Sequence, residues 1–167
     1  MSTGAAAPEI PLEAVPARAR AGPSRGPDID FGEVEIIPPL LDQGDVDELV
    51  GRYDIPPQFE ARAAWPGEYA CRPPPEFVAI YRDQLVAGLR LPIPQFLYQI
   101  LTFWGIRITQ LVPNAIRSIL GFFIMCPVLE IPYSLDLFRS FFQMKMSGPV
   151  HGWFYFARKS GGELPTR

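Results

Sequence analysis

The chain is nearly without histidine and cysteine, two residue types on which many enzyme and metal sites are built. Its 167 residues include one histidine, His151, and two cysteines, Cys71 and Cys126. The cysteines lie 55 residues apart, a spacing that gives neither a disulfide framework nor the paired ligands of a zinc site. Free thiols in a reducing compartment are therefore expected, with an intracellular location in nucleus or cytoplasm. Cys–His or Ser–His–Asp catalysis would have to use His151, which sits in the turn-like run Ser147-Gly148-Pro149-Val150-His151-Gly152 and reads as an exposed loop residue. Arg72 beside Cys71 is a single cation, weak grounds for an activated thiol.

Clustered carboxylates are missing too. Metal-assisted strand transfer needs acids that converge on shared ions. The acids from residue 54 onward are Asp54, Glu60, Glu68, Glu76, Asp83, Glu130, Asp136 and Glu163, and none lies in an apolar strand that would aim it into a cleft. They read as surface charge. No catalytic residue, cofactor, metal ligand or small-molecule substrate is expected, and the chain reads as a non-enzyme. Long apolar runs are absent as well. Between Leu91 and Leu129 only Arg107 and Arg117 are charged, but Pro92, Pro94, Gln95, Gln99 and Thr102 interrupt the first part. A span needs about 20 predominantly apolar residues. Core helices fit better than a membrane segment. The start, Met1-Ser2-Thr3-Gly4, lacks the basic and apolar stretches of a secretory signal.

Proline, by contrast, is abundant: 20 residues, more than double the usual share. Residues 1–44 hold seven prolines, seven alanines and five glycines, with Phe31 the only aromatic. Too little apolar surface is present to offset ordering costs of about 1–2 kcal/mol per residue, so a disordered N-terminal tail is expected. Charge is divided along the chain. Residues 1–48 carry three arginines against ten acids, and residues 71–167 carry ten basic residues against five acidic ones. An acidic tail on a basic body can fold back on it, although simple solvation of the tail is the plainer reading.

The body, residues 45–160, reads as mostly α: a compact bundle of four or five short helices with at most a small two-stranded sheet. Residues 161–167 read as a disordered C-terminus. The first helix is expected over Asp45–Arg52, with Asp42 or Gly44 near its start. One further turn is expected at Gln58–Ala64, then a turn at Trp65-Pro66-Gly67-Glu68. Over Glu76–Leu89 the second half favours helix, while Phe77–Tyr81 reads equally as helix or strand. Gln95–Trp104 places Phe96, Leu97, Ile100, Leu101 and Trp104 on one face, and Gly105 ends it. Asn114–Met125 aligns Ile116, Ile119, Leu120, Phe123 and Ile124, with Phe122 and Met125 widening the stripe. It is expected to be the most buried helix, to end at Pro127, and to admit another helix at Gly121. Ser134 caps a helix over Ser134–Gln143. Consecutive aromatics in Gly152-Trp153-Phe154-Tyr155-Phe156 favour a strand, with Phe77–Tyr81 the best candidate partner.

An ordered series of residues adds a resemblance. Tyr53-Asp54-Ile55-Pro56, Cys71, Pro73-Pro74-Pro75, Tyr81 and Ala87-Gly88-Leu89-Arg90-Leu91-Pro92 are followed by Pro113-Asn114-Ala115, Arg117, Gly121-Phe122, Cys126, Phe138-Arg139, Phe141-Phe142 and Gly152-Trp153-Phe154-Tyr155-Phe156. From Tyr53 to Arg158 the chain resembles the plant gypsy-type transposon domain, described as transposase-like and found in retroelement-derived reading frames. The resemblance implies a retrotransposon-derived module and carries over no catalytic residue.

Two working surfaces remain open. Arg139, Lys145, Arg158 and Lys159 surround Trp153 and Tyr155, and cations interleaved with rings can hold phosphates and stack bases. Core packing of the rings is the stronger reading. A body this rich in large apolar residues also suits association with a protein partner or its own kind. The leading expectation is a non-catalytic interaction or assembly domain; the alternative is a nucleic-acid-binding accessory domain of a transposition complex.

Overall fold

The computed structural model describes residues 39–147 and 152–160. Of the tail expected over residues 1–44, residues 1–38 lie outside them, as do the C-terminus from 161 onward, His151 and Glu163, while Gln43 and Gly44 belong to a helix instead. Among the described residues the chain forms five α-helices, one 3-10 turn and a two-stranded antiparallel sheet.

Helix α1 spans Gln43–Arg52. Asp42 caps it, its Oδ1 accepting from the Asp45 amide at 2.9 Å while the Asp45 carboxylate accepts from the Asp42 amide at 3.0 Å. The pair satisfies two otherwise orphaned donors, so the helix takes in Gln43 and Gly44. From Pro57 to Tyr81 the backbone is irregular, and the turn expected at Gln58–Ala64 is a single reversal closed by Phe59 N to Pro56 O at 2.9 Å. The turn at Trp65–Glu68 forms as expected. A latch holds it: Arg62 donates to both Glu68 carboxylate oxygens at 2.7 and 2.8 Å, and the Trp65 amide donates to the same carboxylate at 2.8 Å. The Arg62 guanidinium lies between the rings of Trp65 and Phe77, 4.8 and 4.5 Å from their centres.

Phe77–Tyr81 is neither helix nor strand. The three prolines before it remove donors, and the Tyr81 amide is taken by the Gln84 side chain at 3.1 Å, leaving no ladder to join. Helix α2 is therefore short, Arg82–Val86.

Helix α3, Gln95–Trp104, buries Phe96, Leu97 and Ile100. It stops at Gly105, whose φ of 62° lets Ile106 N reach Leu101 O at 3.1 Å. A side chain there would be strained. The 3-10 turn Ile108–Gln110 leads into α4, Pro113–Val128, with a proline at the first position where its missing N–H costs nothing.

Pro127 lies inside α4 rather than marking its end. The ladder resumes at once, with Leu129 N to Met125 O at 3.0 Å, and Ile131 N to Cys126 O at 2.9 Å closes the helix around Glu130, whose φ is 57°. Only Ala115, Ile116, Ile119 and Cys126 of α4 are buried. Ile124 and Met125, expected in the core, are exposed. The helix runs about 24 Å at 1.5 Å per residue, longer than the core it covers. Nor, among the described residues, does a second helix approach Gly121, where an added Cβ would meet nothing within 4 Å.

Helix α5, Leu135–Phe141, starts at Ser134, whose hydroxyl accepts from the Leu137 amide at 3.1 Å. The chain then switches directly into β1, Phe142–Met146, which pairs with β2, Phe154–Arg158. The aromatic run thus finds its partner in the residues just after α5, where Phe142 and Met144 stand on the same sheet face as Phe156. Val112 N adds a bond to Phe154 O at 3.1 Å on the other edge of β2.

The core gathers on rings. Phe138 is fully buried and meets Phe96, Phe122, Phe142 and Phe156 at centroid separations of 5.9, 5.2, 4.7 and 5.1 Å. Three of the four contacts are edge-to-face, the arrangement favoured by aromatic quadrupoles. One buried polar side chain joins the layers. Gln84, with no exposed surface, donates to Ile108 O at 2.7 Å and Leu111 O at 3.0 Å while accepting from Tyr81 N.

Candidate interaction surfaces

The six residues singled out from sequence divide between two places. The register Lys145↔Tyr155 puts those two side chains on one face of the sheet, and Trp153 continues that face by alternation. Phe154 and Phe156 point the other way and are buried. Arg158 pairs with Phe142 at the far end of β2 and is exposed. Beyond it the Lys159 ammonium donates to Arg139 O at 2.6 Å, and Arg139 itself pairs with Asp136 at 3.2 Å while covering the Phe103 ring at 4.4 Å. Arg139 and Lys159 thus adjoin each other, apart from the Lys145–Tyr155–Trp153 group.

Trp153 reaches a shallow cleft that sequence reasoning missed. It packs on Tyr81 with ring centroids 5.3 Å apart, and Cys71, Arg107, Thr109 and Gln110 complete the lining. The space amounts to about 290 Å³ counting the part open to solvent, and the enclosed part holds roughly one water. Arg107 donates to Cys71 O at 2.7 Å, and Gln110 accepts from the Arg107 amide at 2.9 Å while donating to Gly152 O at 3.4 Å. These bonds tie the 3-10 turn to the loop at residue 71 and to the start of β2. Burial first, and then the nearby Cys71, pushes the Tyr81 hydroxyl above its ordinary pKa, and burial raises the Cys126 thiol. Neither group is activated for nucleophilic attack at neutral pH.

Asp83 and Asp136 are exposed on α2 and α5. Among the described residues no three His, Cys, Asp or Glu side chains gather to hold a metal ion. No helix there is long and apolar enough to cross a membrane.

A separate surface, holding none of those six residues, is the far end of α4. Ile124, Met125, Val128 and Leu129 are 58%, 49%, 69% and 57% exposed. Exposed Gly121, Pro127, Pro132 and Tyr133 extend this surface, and no charged residue lies between Arg117 and Glu130. The sequence carried the signal in that long uncharged run, but its helical spacing read as core. Contiguous apolar surface at one end of a helix is unusual on a solitary soluble domain.

The geometry defines a small aromatic-cored helical domain with an exposed apolar helix end. Residues 78–146 match a family model described as "Putative gypsy type transposon". The match runs from the irregular stretch before α2 through β1 and covers less than half of the chain. The segments 53–77 and 147–158, over which the resemblance also extends, lie outside it. No curated protein and no solved structure matches the chain.

Proposed function

We propose that the chain is a transposon-derived, non-catalytic protein-association module. The observation that carries this reading is the uncharged, exposed end of α4, where four large aliphatic side chains project from a helix whose opposite face is locked into the core. Covering such a surface releases ordered water and contributes about 25 cal/mol per Å².

A second reading, nucleic-acid binding in a transposition complex, draws on Lys145, Tyr155 and Trp153 sharing one sheet face. It is the weaker. Tyr155 packs against the core, Trp153 is engaged with Tyr81, and Arg139 and Lys159 already make contacts within the chain.

A photo-crosslinking amino acid placed at Met125, and separately at Tyr155, in the full chain within its host cells separates the readings. Protein adducts from position 125 in excess of those from 155 are expected. Nucleic-acid adducts from position 155, with none to protein from 125, would overturn the reading.

A further inference from the structure

We infer that the occupant of the α4 end is a second copy of this chain, bound as an antiparallel helix pair about a twofold axis near Ile124; the inference rests on the protein-association reading. Arg117, Gly121, Ile124 and Val128 recur at intervals of four, three and four, so they fall within about 60° of arc on one helix face. The core-facing side chains Ala115, Ile119 and Cys126 lie opposite, so this stripe points outward. Gly121 leaves a recess with nothing within 4 Å of its would-be Cβ, while Val128 is the most exposed aliphatic side chain of α4.

The stripe is complementary to itself. In a twofold contact, residue i meets j and j meets i. An antiparallel α4 pair crossing near Ile124 sets the Val128 knob of each copy over the Gly121 recess of the other, because these positions stand at nearly equal distances on either side of Ile124. The same crossing sets Arg117 of each copy level, along the helix axis, with exposed Glu130 just past the helix end of the other. Neither residue makes an ion pair among the described residues, and Arg117 touches only Asn114 Oδ1 at 3.3 Å. A parallel pairing would instead oppose like charges at both ends. Recess, knob and two opposite charges therefore share one centre.

Sedimentation of the full chain over a concentration series reaching about 1 mM tests this. A reversible monomer–dimer equilibrium is expected. Arg117→Glu should raise the dissociation constant about tenfold, and adding Glu130→Arg should restore it to within about twofold. Gly121→Gln fills the recess without touching the core, so it should leave the melting temperature no lower while weakening the dimer about tenfold or more. Ile124→Cys should yield a disulfide-linked dimer on mild oxidation where Asn114→Cys does not. A chain monomeric at every concentration, or a dimer that the charge swap fails to restore, would overturn the inference. Protein adducts from position 125 in a chain that stays monomeric would remove the second copy while leaving the association reading in place; loss of both results would remove both.

Discussion

Single side chains decide how the irregular half of this molecule is held. Gln84 was not legible in the sequence as a structural residue, because one amide in an amphipathic stretch carries no sign of what its ends will reach. Its three bonds join α2 to the 3-10 turn and to Leu111. Gln84→Leu keeps the volume and strands the Leu111 carbonyl and the Tyr81 amide, while Ile108 O keeps only its bond from Leu111 N at 3.1 Å. A loss of about 2–4 kcal/mol is expected in urea unfolding, against under about 0.5 kcal/mol for a surface control such as Gln99→Leu. Glu68 is the second case. Its hydrogen bonds from Arg62, and then from the Trp65 amide, hold its carboxyl at about 2, below the ordinary 4.5. The folded-state pKa is the lower one, so the latch contributes fully above the unfolded value and its contribution is lost as pH falls toward about 2. Wild type should therefore lose more stability than Glu68→Gln between pH ~5 and pH ~2, as measured by denaturant unfolding at each pH.

At the scale of elements, the helices with local punctuation were readable. Gly105 after Trp104 and Ser134 before Leu135 announce an end and a start through backbone chemistry that needs no tertiary partner. Ser134→Ala should cost about 1 kcal/mol, seen as a lowered unfolding midpoint, because the Leu137 amide loses its acceptor. Features that depend on distant chain were not readable. The partner of β2 turned out to be the stretch immediately after α5, since Phe142 changes from helix to strand only because Phe156 and Arg158 are there to pair with it. Pro127 was read as a terminator, yet one missing donor in a last turn is bridged by bonds from Leu129 and Ile131. Helical spacing through Ile124 and Met125 identified an apolar helix correctly. It could not say that the core stops short of the helix.

Across the described residues, four large exposed apolar side chains gather at the end of α4 with no charged residue among them. Lys145 and Arg158 occupy the sheet, Arg139 and Lys159 adjoin its end, and the outward stripe of α4 is charged only at Arg117 and just past its end at Glu130. Such an uncharged exposed surface is what the proposed association would cover. The candidate basic residues were visible in the sequence; their division into separate groups, and the cleft that engages Trp153, depended on strand register and on Tyr81 arriving from a distant loop. The account stands on the α4 end being surface rather than interior. The unfolding free energy of Val128→Glu, measured in urea at a concentration where the chain is monomeric, tests this most directly. It should lie within about 0.5 kcal/mol of wild type, as for any exposed site. A loss of several kcal/mol, the cost of forcing a carboxylate into an apolar interior, would contradict it.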